Sequence, residues 1–274
     1  MSNYSVEDLL VLPGAGEGSC THLVTKVRAA QMGAKVALIE KQNAFGGVAT
    51  AGLVNIWHKL VSHKGQPIIG GLTRLMIDRL GKVGGVSGSG NFRINTQELK
   101  IELDRIVLEN KVTPYLHTFY AAPVMEGDRV KAVVIENKNG RQAIAADVFV
   151  DATGDGDLAK DVGLPFEIRD GLQPPTTCAH VSGLPKGAMG LALKHRGEFG
   201  LAADHGWGAD IPGSNGVHMA AFLHVFNTNA ADATQLTAGE MEGRRELGHF
   251  VLALDLKDAD DIALLQDLVA AVDV

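Results

Sequence analysis

The stretch KVALIEKQNAFGGVAT, residues 35–50, decides the fold, because an apolar run in it ends in an acid and continues into a double glycine. The residues before it, DLLVLPGAGEGSCTHLVTKVRAAQMGA, contain a second apolar run, several glycines and a helical pattern. Together they predict a β-α-β unit over residues 8–40. In such a unit the glycine turn admits phosphates to the backbone, the helix N-terminus offers N–H groups, and an acid accepts ribose hydroxyls. Glu40 is that acid.

The glycine turn itself is imperfect. Gly14 and Gly16 begin the pattern G-x-G-x-x-G after the first strand, but Ser19 stands where the last glycine belongs. Glu40 follows Gly14 by 26 positions, whereas this fingerprint expects roughly 20. Glu17 adds a carboxylate that would repel a pyrophosphate. An ordinary strand-to-helix turn is therefore an alternative interpretation.

Three β-rich runs follow in the middle of the chain, namely YLHTFYAAPV, VKAVVIE and AIAADVFVDA. Turn clusters at residues 126–128 and 137–140 separate them, which predicts a β-meander. The last run ends in ATGDGD, residues 152–157, where glycines permit a close approach of the backbone at the carboxyl end of a strand. Taken alone, this motif is more typical of a tight turn that opens a helix at Leu158.

Four segments resemble, in order, the FAD-dependent oxidoreductases of the glutathione-reductase-like superfamily: IEKQNAFGGVATAGLVN, GGLTRLMIDRLGKVGGV, INTQELKIELDRIV and VFVDATGDGDLAKDVGLPFE. The group they are most similar to is the bacterial FAD dependent oxidoreductase family. The resemblance continues through DGLQPPTTCAHVSGL and ends with LTAGEMEGRRE at 236–246. It implies an α/β fold, an FAD/NAD(P)-binding Rossmann-like three-layer ββα sandwich with an inserted β-meander. Members of the family continue into a further flavin-binding segment, so the resemblance also implies a chain truncated at Val274 or a degenerate relative.

The resemblance assigns roles to individual residues. It implies that the glycine turn approaches the pyrophosphate, that the acid holds the adenosine ribose, and that the double glycine lines the flavin side. It further implies that the backbone of one alanine meets adenine and that the ATG turn closes the site. In chain order, the cofactor-binding residues so implied are Gly14, Ala15, Gly16, Glu40, Lys41, Gly46, Gly47, Ala49, Thr50, Ala121, Ala152, Thr153 and Gly154.

Catalytic residues are less visible than cofactor residues. His58 follows the TAGLVN segment that should run near the flavin, and Cys178 lies beside His180 in PPTTCAH. A flavin enzyme needs orientation and a proton carrier from its protein, and either His58 or Cys178 could contribute there. Single residues of these types more often have no catalytic role. Cys178 has no C-x-x-C partner, which disfavours disulfide exchange.

Composition excludes several function classes. The 274 residues carry a net charge of −7 without a basic block, so we expect no nucleic-acid partner. Two cysteines, no targeting segment and no apolar run of membrane-spanning length predict a cytoplasmic protein without membrane contact. His205, His218 and His224 lack a familiar ligand spacing, so no metal is expected. Hydrolase and P-loop motifs are absent from the sequence.

The order of elements suggests two regions, an FAD-binding domain over residues 1–163 and an incomplete substrate-side region over residues 164–274. The FAD-binding domain contains predicted helices over 66–83 and 96–110, with a flexible glycine-rich loop at 84–90 between them. Thr96 is predicted to cap the helix over 96–110. The substrate-side region contains a strand in GVHMAAFLHVFN and helices over 234–253 and 257–272. The last helix has an apolar stripe, so it should pack within the chain or pair with a partner, as in a homo-oligomer.

These features favour an FAD-dependent oxidoreductase that transfers a hydride between a small organic substrate and the flavin. One alternative is an NAD(P)-binding dehydrogenase. The double glycine and the meander disfavour it. A second is a non-catalytic remnant with impaired flavin binding, for which the distorted glycine turn speaks. A third is a relative of thiazole synthases or of tRNA-modifying flavoproteins, and the acidic charge gives the tRNA version little support.

Overall fold

The computed structural model describes residues 6–13, 27–168, 171–184, 187–201 and 206–254. The predicted pyrophosphate residues Gly14, Ala15 and Gly16 and the predicted helix 257–272 lie outside these residues. The chain divides into two compact units, Met1–Glu167 and Ile168–Val274. The assignment of the cofactor to the first region and the substrate to the second stays a prediction.

The first unit is a mixed α/β structure, as the sequence predicts. Its six-stranded sheet has the order β6-β2-β1-β9-β8-β7, and β6, β2, β1 and β9 run parallel. A smaller antiparallel sheet has the order β3-β5-β4. The strands are β1 (Val6–Pro13), β2 (Val36–Ile39), β3 (Ile56–Trp57), β4 (Val86–Ser89), β5 (Asn91–Ile94), β6 (Thr113–Tyr115), β7 (Phe119–Glu126), β8 (Arg129–Asn137) and β9 (Gly140–Ala152); the helices are α1 (27–31), α2 (Gly71–Lys82), α3 (Thr96–Glu109) and α4 (Asp157–Asp161).

Strand β9 joins the meander to the parallel strands. Its first half pairs antiparallel with β8, and its second half pairs parallel with β1. Ala145 takes part in both pairings, opposite Ala132 of β8 and Val6 of β1. The predicted meander is confirmed, and it is continuous with the parallel sheet.

Strand β2 is buried on both faces, as expected of a parallel strand between two layers. Leu38 packs into a core with Leu99 and Leu103 of α3. Ile39, which points to the opposite face, packs with Val133 of β8 and its neighbours. The apolar run of residues 36–39 is thus explained by burial on both sides.

Three local predictions are corrected by the structure. Helix α2 begins at Gly71 rather than at residue 66. The N-cap of α3 is Asn95 rather than Thr96, because the Asn95 side chain accepts hydrogen bonds from the N–H groups of Gln97 and Glu98 at 3.0 and 3.3 Å. Residues 84–90 are not a flexible loop, since strand β4 lies within them and pairs with β5.

The predicted strand YLHTFYAAPV is also corrected, because it divides into β6 and β7. His117 between them has a positive φ of 50°, and the N–H of Thr118 donates to the carbonyl of Glu40 at 3.0 Å. The left-handed backbone at His117 and the hydrogen bond of Thr118 redirect the chain from the parallel strands into the meander.

Among its described residues, the second unit has an antiparallel sheet of order β10-β12-β11, two α-helices and a turn of 3-10 helix at Arg196–Phe199. The predicted strand and the helix over 234–253 are both confirmed. Phe199 and Phe250 are fully buried in its core, and Gly243 gives Thr177 room that a side chain would take away. The elements are β10 (Thr176–Val181), α5 (Ala188–Lys194), β11 (Trp207–Asp210), β12 (His218–His224) and α6 (Ala233–Leu254).

Helix α6 buries one carboxyl group at a cost. Glu246 is 8% exposed, and its Oε2 atom has no hydrogen-bond partner among the described residues. Burial, followed by repulsion from Glu242, raises the pKa of Glu246 above its ordinary value of 4.5. A raised carboxyl pKa means that the folded state binds the proton more tightly than the unfolded chain, so this site loses stability as pH rises above 4.5.

We therefore expect Glu246→Gln to be more stable than the wild type at pH 8, with the melting temperature higher by about 2–4 °C. The difference should shrink as pH falls through 4.5, because below that value Glu246 becomes protonated in both the folded and the unfolded state. Thermal unfolding of both proteins across this pH range measures the effect. A constant difference at all pH values would contradict it.

Candidate functional site

The parallel strands bring their carboxyl ends to one edge of the sheet. Glu40 is the first residue after β2 and is 1% exposed. Its N–H donates to the carbonyl of Tyr115 at 2.8 Å, which ties it to the end of β6. Its Oε1 atom accepts the N–H of Gln42 at 2.9 Å. The acid predicted to hold the ribose is therefore fixed at the tip of β2.

The turn after β9 is organised by two side chains. Asp151 accepts hydrogen bonds from the N–H and the hydroxyl of Thr153 at 3.0 and 2.8 Å, and from the N–H of Ala159 at 2.8 Å. The hydroxyl oxygen of Thr153 in turn accepts a hydrogen bond from the N–H of Gly156 at 2.8 Å. Gly154 and Gly156 have φ angles of 79° and 73°, which favour glycine. The ATGDGD turn is thus a rigid loop that starts helix α4.

An ion pair links the tips of β2 and β9. Lys41 Nζ lies 3.3 Å from Asp155 Oδ2, and both side chains are partly exposed. The two strands flank β1 in the sheet, so the pair joins the segments on either side of it. Exposed pairs contribute little stability, about 0–1 kcal/mol. The pair matters for ligand binding because it places an ammonium group and a carboxylate at this edge.

A cavity of about 160 Å³ lies at the same edge. It borders the start of β7, where the register with β8 shifts between Tyr120 and Ala122, so that Ala121 occupies a β-bulge. A bulge releases a residue from the regular ladder and is common beside binding sites. The cavity is lined by Ile39, Lys41, Thr118, Phe119, Tyr120, Thr153 and Asp157.

Two titratable groups of the cavity wall have shifted pKa values. The Tyr120 hydroxyl donates to Asp161 Oδ2 at 2.9 Å, and burial together with this carboxylate raises the pKa of Tyr120 far above its usual value. Tyr120 is therefore a neutral phenol at physiological pH. Burial, and then repulsion from Asp155, raises the pKa of Asp157.

The double glycine after β2 forms a buried turn. Gly46 has a φ of 109°, and Gly47–Ala49 is a turn of 3-10 helix. A Cβ atom on Gly46 would lie 2.7 Å from Leu103 Cδ1 and 2.7 Å from Thr50 Cγ2. The Thr50 hydroxyl donates to the carbonyl of Phe45 at 2.7 Å. The predicted flavin-side residues thus form a compact turn packed against α3.

The predicted site residues fall into groups. Lys41 and Thr153 line the same cavity, and Lys41 pairs with Asp155, which directly follows Gly154. Ala49 and Ala152 share one apolar core. The structure also adds residues that sequence reasoning missed, namely Asp151 and the residues at the start of β7. The D-x-T pattern before the glycines could have identified Asp151 as a residue that organises the turn. A cavity, in contrast, cannot be predicted from any local sequence pattern.

The two catalytic candidates have different surroundings. His58 follows strand β3 and is exposed, in the first unit. Cys178 lies on β10 in the second unit, and burial raises the pKa of its thiol to about 11. A thiol of this kind is protonated near neutral pH, which gives little support to a thiolate nucleophile. Both roles stay predictions.

A family model described as FAD dependent oxidoreductase matches residues 25–258. The chain belongs to this family. The match includes Glu40, the double glycine and the ATGDGD turn, and it begins after the glycine turn at Gly14 and Gly16. FAD is the cofactor of the family, as the sequence predicts.

A solved flavin-dependent enzyme has a similar fold, and two further solved structures match with lower scores. The flavin-dependent brominase Bmp2, as a triple mutant, matches with a TM-score of 0.52 at 13% identity over 78% of this chain and 56% of its own. A geranylgeranyl bacteriochlorophyll reductase-like protein from Thermoplasma acidophilum gives 0.49 at 12% identity, over 80% and 57%. THI4 from Thermovibrio ammonificans gives 0.42 at 20% identity, over 57% and 61%. The chain thus spans little more than half of these proteins. No curated protein matches it.

The described residues fit an adenine dinucleotide. An acid at the tip of β2, a cavity beside it, and glycine turns after β2 and β9 lie in the same unit. No three His, Cys, Asp or Glu side chains within the described ranges form a group that could hold a metal ion. None of the helices that the structure describes has the length and apolar character needed to cross a membrane.

The Gly46 turn can be tested by paired substitutions. We expect Gly46→Ala to lower the free energy of unfolding by about 2–4 kcal/mol, because the new methyl group would overlap Leu103 and Thr50 at a strained φ. Gly156→Ala is the control, since it has a positive φ but nothing within 4 Å. It should cost only about 1–2 kcal/mol. Denaturant unfolding measures both values, and equal costs would contradict the packing argument.

The thiol of Cys178 can be tested by alkylation. In a Cys20→Ser background, we expect Cys178 to react with iodoacetamide at pH 7.5 about a hundredfold more slowly than an ordinary thiol. The rate should rise with pH up to about 11, where the thiol ionises. Fast labelling at neutral pH would show an activated cysteine instead.

Proposed function

We propose that the chain is an FAD-dependent oxidoreductase that moves a hydride between a small organic substrate and the flavin. The observation that carries this proposal is the convergence at one sheet edge of Glu40, the 160 Å³ cavity and the ATGDGD turn. Ligands of open α/β sheets bind outside the carboxyl ends of parallel strands. The family membership supports the same reaction class.

The adenosine half of FAD is assigned to the tip of β2. Glu40 would accept the ribose hydroxyls, and the cavity between β2 and β7 would take the adenine ring. The bulge at Ala121 supports the predicted backbone contact with adenine, because a bulged residue is released from its ladder. Lys41 is a cation of the cavity wall, and it would lie near the phosphates of FAD.

The flavin half is assigned to the two glycine turns. Gly46, Gly47, Ala49 and Thr50 would support the ring side, while residues 152–154 would close the site next to the phosphates. When bound, the flavin supplies the hydride chemistry, and the protein contributes binding, orientation and exclusion of water. His58 is the candidate proton carrier of the first unit.

The substrate side is proposed for the second unit, which supplies Cys178 as the other candidate. The net charge of −7 supports a small-molecule partner over a nucleic acid. The low cysteine content supports a cytoplasmic location. A second candidate function is a remnant that binds flavin poorly, which the residues Glu17 and Ser19 in the glycine turn favour.

Flavin binding decides between these functions. We expect the purified chain to bind FAD with the visible absorption band of an oxidised flavin, and NAD(P) far more weakly. Glu40→Gln should weaken FAD binding about tenfold to a hundredfold, because a charged acceptor for the ribose hydroxyls becomes a neutral one. Fluorescence titration with FAD measures the affinity.

Glu136→Gln is the matched control for this experiment. Glu136 lies on β8, half exposed and paired with Arg141 at 2.8 Å, so its loss should leave FAD affinity unchanged. A wild-type chain that binds no FAD would favour the remnant. Preferential binding of NAD(P) would favour the dehydrogenase.

A further inference from the structure

Asn55 is a buried side chain whose amide is left unused. It is completely buried, and neither its Oδ1 nor its Nδ2 atom has a hydrogen-bond partner in the part of the chain that the structure describes. Its backbone carbonyl accepts the N–H of Ile94 at 2.8 Å, so the main chain is paired while the side chain is not. Buried polar groups are nearly always hydrogen-bonded, and an unpaired amide destabilises the fold. Such a group calls for a function.

The segment just before Asn55 is strained. Leu53 has a positive φ of 60°, which is unfavourable for a residue with a bulky side chain. The segment is held by the hydrogen bond from the N–H of Val54 to the carbonyl of Val48 at 3.0 Å, while Ala51 and Gly52 are exposed. Strain of this kind clusters at ligand clamps and switch regions. A rearrangement of residues 51–54 would release the backbone strain stored at Leu53.

The position of Asn55 connects it to the cofactor site. It lies five residues after Thr50, the end of the turn assigned to the flavin side. A flavin ring carries an imide edge, an N–H between two carbonyl groups. A carboxamide offers one donor group and one acceptor, so it can form two hydrogen bonds with such an edge.

We propose that Asn55 is a cofactor-binding residue whose carboxamide pairs with the imide edge of the flavin when residues 51–54 shift. The proposal rests on the proposed function, since it requires FAD as the ligand. The amide is buried and has no partner among the described residues, and FAD would supply two hydrogen bonds to it. The same side chain therefore destabilises the free protein and stabilises the complex.

The substitution Asn55→Leu tests both halves of this statement. Leucine has a similar branched shape but no polar group. We expect the melting temperature of the FAD-free protein to rise by about 2–4 °C, because a buried unpaired amide is removed. We expect FAD affinity to fall about tenfold to a hundredfold, because two hydrogen bonds are lost. If this variant does not fold, Asn55→Ala must show the same loss of affinity.

Thr96→Val is the matched control. The Thr96 hydroxyl is also buried without a partner among the described residues, but Thr96 begins α3 and is assigned no contact with FAD. Its replacement should raise the melting temperature of the free protein and leave FAD affinity unchanged. A change in affinity as large as that of Asn55→Leu would overturn the assignment.

The remaining outcomes separate the two proposals. If the wild type binds FAD and Asn55→Leu binds it equally well, the Asn55 proposal fails and the proposed function stands. If Asn55→Leu lowers the melting temperature of the free protein, Asn55 is a structural residue and the proposal also fails. A wild type that binds no FAD overturns both.

Discussion

The first unit depends on the pairing of β9 with two partners. This strand of 13 residues gives its first half to β8 and its second half to β1, with Ala145 as the shared residue. The pairing with β1 brings the carboxyl end of β9 level with those of β1 and β2. The candidate site follows from this register, because each strand delivers its next residues to the same edge. A shift of one residue would turn the apolar side chains of β9 to the wrong face.

Much of this arrangement is visible in the sequence. An apolar run of four residues followed by Glu40, and a meander whose last strand ends in ATGDGD, are sufficient to predict the sheet and the edge where the candidate site lies. These signals are strong because burial on both faces demands continuous apolar runs, and because glycines mark turns with positive φ. The family resemblance adds the cofactor, which periodicity alone cannot identify.

The failures of prediction have local physical causes. Asn95 and Thr96 are both good caps, and only the backbone geometry decides that Asn95 accepts the first N–H groups of α3. The glycines of residues 84–90 indicate flexibility, yet a tight hairpin also requires them. The Lys41–Asp155 pair joins residues 114 positions apart, and the cavity combines side chains from three segments, residues 39–41, 118–120 and 153–157. Contacts of this kind depend on the tertiary fold, so they cannot be predicted from a local sequence pattern.

The charges at the edge of the candidate site constrain what could bind there. Asp155 neutralises Lys41 in part, while Asp157 carries a raised pKa because burial and the nearby Asp155 disfavour its ionised form. An anionic ligand that draws Lys41 toward itself leaves Asp155 and Asp157 without that cation, which raises their mutual repulsion. The ligand must therefore offset this cost with contacts of its own, such as apolar contact in the cavity and hydrogen bonds to Glu40. A dinucleotide would provide both through its adenine ring and ribose, whereas a simple phosphate would not, so the proposed FAD site would favour the larger ligand.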